Sequence, residues 1–562
     1  LFFCLFSFVL LLHFSSCSFS KTLLNSELSA DLSGHGPAEG SSGVVHAGSA
    51  SFPSSGAYGL STLTLEDCTI QNNAAQGVWC HTPGGGCSGS SSTVISNCRI
   101  VKGRGCGVEA LGQEVKITGC TLAGNVGAGV LVGRQLAADS GYGCEITTCS
   151  FLSGKSAGVV FTDDSLGQIT ACIFDGHAAA AILITSGANP LVSKNQILDG
   201  KSHGVEISAG GKGVVSENEV RGNVGSGMSV SGKGSEPAIS RNRVTGGGAA
   251  GISISNAATG TIAKNTIFGN FGGGVVITAG ANPKILDNSI YHGNGCGVSC
   301  SDSGLGDICN NDIFGNTFAG VEISTGGNPS LRQNRIHGGK QSGVLVHGGG
   351  LGEFKGNSIS DNALSGVEIC GDLSNPKFWG ENRISGNGVL VHQGGLGVFE
   401  KNEVFNTAQV GVTVSDGGNP TLTANLIHHC SEAGILVTQG GRGTFSKNHV
   451  CANSKSAIEV CGNDGSATEE DGESENANET KKGGKRNLSP TNPILTGNRI
   501  YKGKTSGIIF HGLNCKGVCE GNYVKDMRSA GVVVADGADP ELKANRIYEC
   551  GTFGVLVSAG GK

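Results

Sequence analysis

The chain is poor in the side chains that commonly announce a ligand. Two Trp and six Tyr among 562 residues leave little for the stacked aromatic platforms frequent in carbohydrate grooves. Phe is commoner, at 21, but several of these fall in an apolar N-terminal stretch. Positive charge is not in excess: 39 Lys and Arg against 45 Asp and Glu give a net charge of −6. The electrostatic footprint of a nucleic-acid binder is therefore missing. Apolar residues at helical spacing over ten or more positions are absent from the body of the chain. The one long apolar run, residues 1–20, is too short and too Ser-rich at its end for a spanning helix. It reads either as the hydrophobic region of a signal peptide or as translated non-coding sequence.

Glycine is abundant, at 97 residues, far above ordinary usage. Most of the remaining pattern is a repeat. An asparagine in the context Asn-x-(Ile/Val) recurs about every 23 residues, followed by Gly-Val-x-(Ile/Val) or a variant. The series is Asn195, Asn218, Asn242, Asn265, Asn288, Asn311, Asn334, Asn357, Asn382, Asn402, Asn425, Asn448, Asn498, Asn522 and Asn545. Aligning on the Gly-Val strand places Cys68, Cys98, Cys120, Cys149 and Cys172 at the same position in earlier repeats. Each period holds about three short runs with period-two alternation, separated by turns. Three strands per turn with identical positions recurring predict an all-β, right-handed parallel β-helix of about 20 rungs. The asparagines are expected to stack as an internal amide ladder, with the five cysteines as buried thiols in line with it.

Asn-Pro corners such as Asn189-Pro190, Asn282-Pro283 and Asn328-Pro329 mostly alternate with Gly-x-Gly corners such as Gly211-Lys212-Gly213 and Gly350-Leu351-Gly352. The unit is therefore two rungs. The solenoid is expected over residues 59–562, preceded by a low-complexity, disordered segment at 21–58. The step from Asn448 to Asn498 carries a charged insertion, 462–490, expected to be disordered, with glycosylation sequons at Asn478 and Asn487. By the repeat, another coil is expected after Lys562.

No catalytic constellation emerges. Asp163, Asp164, Asp302, Asp416 and Asp536 follow Gly-Val-type strands, but on rungs too far apart to converge. Glu206, Glu322, Glu368 and Glu459 occupy the outward x position and are expected on a solvated face. Glu206, Glu322 and Glu368 are the candidate contact residues. His347, His392 and His511 are expected at exposed corners. Gly34-His35-Gly36 lacks the paired aspartates that polygalacturonase-type chemistry requires. The pairs Cys296/Cys300 and Cys515/Cys519 lack further ligands at matching offsets. No cysteine is paired with a His or Asp at a recurring rung offset. Neither cofactor nor metal is expected.

The segment Gly327-Asn328-Pro329-Ser330-Leu331-Arg332-Gln333-Asn334-Arg335-Ile336-His337-Gly338-Gly339, with the strand Ser342-Gly343-Val344-Leu345-Val346-His347, resembles the β-helix of the F-box only protein 11 family. So do Asn310-Asn311-Asp312-Ile313-Phe314 and Ala319-Gly320-Val321-Glu322-Ile323. The resemblance covers roughly 185–562 and, less closely, 60–184. It implies an intracellular, substrate-recruiting adaptor in ubiquitin-dependent protein catabolism, with a protein partner and no chemistry of its own. The alternatives are a secreted carbohydrate-active β-helix, with a polysaccharide partner and residues 1–20 as its signal peptide, or a structural surface protein.

Overall fold

A computed structural model describes residues 45–47, 62–81, 92–133, 143–462 and 489–562. They belong to one compact unit, Ser42–Lys562. The segments 1–20 and 21–58 lie outside the described residues, apart from the strand Val45–Ala47. So do Gly34-His35-Gly36, Asn478, Asn487 and all but the ends of 462–490.

Every described element is a short strand, and most hold three residues. The strands form three parallel sheets, one of 21 strands and two of 20. Each strand pairs with the equivalent strand of the rung before and the rung after. In one turn, Val205–Ile207 belongs to the first sheet, Val214–Ser216 to the second and Glu219–Arg221 to the third. Val205 lies in register with Ile182 and Met228, so identical positions stack. Among the described residues there is no helix, and so none long and apolar enough to cross a membrane.

Alternation decides what is inside. Val205 and Ile207 are buried, with Glu206 between them half exposed. Inward columns such as Ile267, Ile290, Ile313, Ile336 and Ile359 are fully buried. Larger side chains stack on their own kind: the Phe354, Phe378 and Phe399 rings lie 4.1 and 4.9 Å apart. Stacking like on like lets one rung's shape fit the next.

The amide ladder is continuous. In every consecutive pair from Asn195 to Asn545, the earlier Nδ2 donates to the later Oδ1. It also bridges Asn448 to Asn498 at 3.0 Å, so the insertion leaves the rung intact. Toward the N-terminus thiols take over the acceptor role. The amides of Cys98, Cys120 and Cys149 donate to the Sγ of Cys120, Cys149 and Cys172 at 3.3–3.4 Å. The Cys172 amide donates to Asn195 Oδ1 at 2.9 Å, joining the two series.

The two-rung unit has a steric cause. At Gly213, φ is 105° and a Cβ would lie 2.6 Å from the Pro190 carbonyl oxygen. Gly260 faces Pro237 in the same way. A proline corner thus requires a glycine on the next rung.

Candidate functional site

The outward side of the first sheet carries the residues with chemistry. Its central column reads Ser299, Glu322, Leu345, Glu368 and Leu390 on successive rungs, each in direct register with the next. Among the described residues no Lys or Arg holds the central outward position of any first-sheet strand. Glu206, Glu322 and Glu368 point outward here and are half buried. Glu206 is followed at the corner by serines rather than histidine.

The histidines are not bare corner residues. His347 Nε2 lies 3.1 Å from Glu322 Oε1, His392 Nε2 3.3 Å from Glu368 Oε1, and His511 Nε2 3.2 Å from Glu459 Oε1. In each pair the carboxylate sits one rung before the imidazole. The remaining carboxylate oxygen takes a hydroxyl: Ser299 and Ser342 donate to Oε2 of Glu322 and Glu368 from the rung before, and Ser456 donates to Glu459 Oε2 from its own rung at 2.8 Å.

Two of the pairs include a thiol, which corrects the expectation that no cysteine has a recurring His partner. Cys370 is in register with His392, and Cys461 with His511. Each cysteine lies two residues after the glutamate, on the same face. The sequence pattern Glu-x-Cys with His one rung later was legible. It escapes a search at fixed residue offset because the first rung is short and the second holds the insertion. Contact with Cys461, then with Glu459, holds the His511 imidazolium up to about 10. His511 in turn holds the Glu459 carboxyl below its ordinary range. Burial, then the Glu368 charge, pushes the Cys370 thiol up.

The remaining candidates stay apart. Cys296 Sγ reaches Glu322 Oε2 at 3.3 Å, whereas Cys300 is buried and donates to the Leu305 carbonyl. Cys515 donates to the Val460 carbonyl, while the Cys519 sulfur lies against Asn522 and Asn545. Asp163, Asp164, Asp302, Asp416 and Asp536 all take positive φ, 43–56°. They are corner residues that tolerate the left-handed conformation; Asp163 and Asp164 share one corner, and the others lie on separate, distant rungs.

Two features carried no expectation. A second buried series, Asn223, Asn270, Asn316 and Asn362, sits five residues after the ladder asparagine on alternate rungs. Each accepts from a glycine amide on the rung before, at 2.9–3.1 Å. The signal was Asn-x4-Asn on the glycine-corner rungs. Next to it, Val224, Phe271, Phe318 and Leu364 stand at the same corner, 48–65 % exposed. They form a ridge of large apolar side chains spaced two rungs, about 10 Å, apart. The ridge borders the acidic face of the first sheet.

A shallow, open depression of about 300 Å³ lies elsewhere, lined by Glu353, Lys377, Trp379, Val398 and Glu400. The Lys355 ammonium covers the Trp379 ring at 4.5 Å.

This repeat architecture defines a class. The chain belongs to the right handed beta helix region family, whose model matches residues 11–137, 135–290, 274–388, 334–471 and 473–562. No curated protein matches it. Among solved structures it is similar to the A-modules of two Azotobacter vinelandii mannuronan C-5 epimerases. For AlgE6 the identity is 17% over 62% of this chain and 90% of that one, with a TM-score of 0.34. For AlgE4 it is 16% over 56% and 86%, with a TM-score of 0.35. It is also similar to the PL6 family alginate lyase AlyGC, at 9% identity over 88% and 97%, with a TM-score of 0.19.

Proposed function

We propose that this β-helix is a non-catalytic protein-binding module. The observation that carries the reading is the ridge Val224, Phe271, Phe318 and Leu364. Large apolar side chains exposed on alternate rungs of one corner mark a contact surface for another macromolecule, and the two aromatic anchors among them suit a protein partner. The bordering column supplies Glu206, Glu322 and Glu368 with no Lys or Arg among them. The complementary partner presents apolar side chains flanked by basic ones.

A carbohydrate-active reading calls for a groove with converging acids. The ridge is a corner instead, and on the adjacent face Glu322, Glu368 and Glu459 are each paired with a His rather than a second carboxylate. The outward aromatic column of the third sheet is closed on itself: Phe268, Tyr291, Phe314 and His337 stack on one another at 4.7–5.2 Å. The substrate-recruiting role in ubiquitination implied by the resemblance to the F-box only protein 11 family rests on the repeat motif alone. The family model and the solved structures named above add nothing to it.

The test is photo-crosslinking in the source cells, with a benzophenone side chain replacing Phe271 or Phe318 in the full chain. The reading expects one discrete protein adduct from both positions and none from position 426, exposed on the third sheet. Equal labelling from position 426, or turnover of a polyuronate by the unaltered chain, overturns it.

A further inference from the structure

We propose that Glu368, Cys370 and His392 bind one divalent transition-metal ion of the zinc class, leaving a fourth position open. The inference goes beyond partner binding and stands independently of it. One donor atom from each residue lies within 4.8 Å of the other two. The glutamate oxygen and the imidazole nitrogen are already 3.3 Å apart. Ligand bonds of about 2.0–2.3 Å in a tetrahedron place donors roughly 3.3–3.8 Å apart. Small side-chain rotations close that gap without moving the backbone.

The backbone is suited to such a site. Cys370 and His392 are register partners on adjacent parallel strands, and Glu368 lies two residues before Cys370 on the same face. Ser342 donates to Glu368 Oε2, which leaves Oε1 facing the cluster, the orientation an outer-shell hydrogen bond gives a ligating carboxylate. One thiolate, one imidazole and one carboxylate favour zinc or cobalt over magnesium or calcium, which take all-oxygen sets. All three residues are half buried, so an ion reaches them from solvent.

The rung that carries His392 departs from the repeat. Asn382 and Asn402 are 20 residues apart, and pairing on this rung shifts register between Ser385 and Gly386. Such irregularities concentrate beside functional positions. The same three residue types recur in the same register at Glu459, Cys461 and His511. At Glu322 and His347 a serine, Ser324, stands where the thiol would be, and the nearby Cys296 thiol bonds the other carboxylate oxygen, Oε2, from the rung before.

The experiment uses the full chain, kept reduced with a phosphine, and cobalt(II) alone as the probe. The starting protein is C461S, so that the cluster at Cys370 is the one retaining its thiol. The proposal expects C461S to bind one more equivalent of cobalt, with a thiolate-to-cobalt charge-transfer band, than C370S/C461S. Adding His392→Gln to C461S removes the same equivalent. Adding Ser342→Ala keeps the band but weakens affinity by about 10–100-fold. Equal stoichiometry in C461S and C370S/C461S, or a band that survives His392→Gln, overturns the site.

Discussion

At the scale of single residues, the amide ladder is a polar interior that satisfies itself. Asn311 accepts from the Asn288 amide and Nδ2 at 2.9 and 3.0 Å, and donates to Asn334 and to the Ile285 carbonyl. Asn311→Ala removes the acceptor of the Asn288 backbone N–H and of one Nδ2 hydrogen, while Nδ2 keeps its bond to the Ile262 carbonyl. Each orphaned N–H costs about 1–3 kcal/mol, so a loss of about 2–6 kcal/mol is expected. Asn311→Cys should cost less, because Cys149 accepts the Cys120 amide from the same position. Denaturant unfolding with exchange of the Asn288 amide measures both, and an equal loss for the two variants would sink this account of the thiol series. The ladder was legible in the sequence because one position recurs with one residue type. The second asparagine series was not, because it occurs on alternate rungs and His177 and Thr407 interrupt it.

Protonation belongs to the same scale. The His511 value is raised, so its contribution is full below its ordinary value of 6.5 and lost as pH rises toward about 10. The Glu459 value is lowered from 4.5, so its contribution is full above 4.5 and lost as pH falls through the depressed value. Both are complete between about pH 4.5 and 6.5. In chelator-treated protein, the melting-temperature difference between the unaltered chain and His511→Ala should peak in that window. It should shrink steadily toward pH 10. A difference that is flat from pH 5 to 10 contradicts the pairing.

At the scale of the element, the corners hold the strain. The residue before most ladder asparagines is left-handed although it is not glycine: Lys194, Glu217, Arg241, Lys264, Asp287, Asn310 and Gln333 have φ of 55–58°. Each such residue costs about 1–2 kcal/mol, and the ladder hydrogen bond that follows offsets it. Nothing in Lys, Glu or Arg announces such a conformation, so these corners were not legible. The proline and glycine corners were, since φ preference is written in those residue types. Gly213→Ala places a Cβ against the Pro190 carbonyl at φ 105°. It is expected to destabilise the protein by about 1–3 kcal/mol, with faster amide exchange confined to the rungs around 190 and 213. Gly560 has a similarly positive φ of 75° but nothing near a Cβ, so alanine there should cost less. Equal losses would remove the steric basis of the two-rung unit.

At the scale of the molecule, one period repeated through twenty rungs gives a uniform interior and a surface free to differ from rung to rung. The interior follows from periodicity, which is why the fold was legible. The surface follows from residues brought together across rungs. Cys370 and His392 meet because they are register partners on adjacent rungs, and Val224, Phe271, Phe318 and Leu364 line one corner on alternate rungs because the repeat unit is double. Neither is a local motif. The central functional claim is that the ridge binds a protein. Its most direct measurement is the dissociation constant of the crosslinked partner for the unaltered chain and for F271S/F318S. Exposed substitutions of this kind leave stability within about 0.5 kcal/mol. The account predicts affinity at least about tenfold weaker, a change of about 1.4 kcal/mol, with unchanged melting. An unchanged dissociation constant would contradict it.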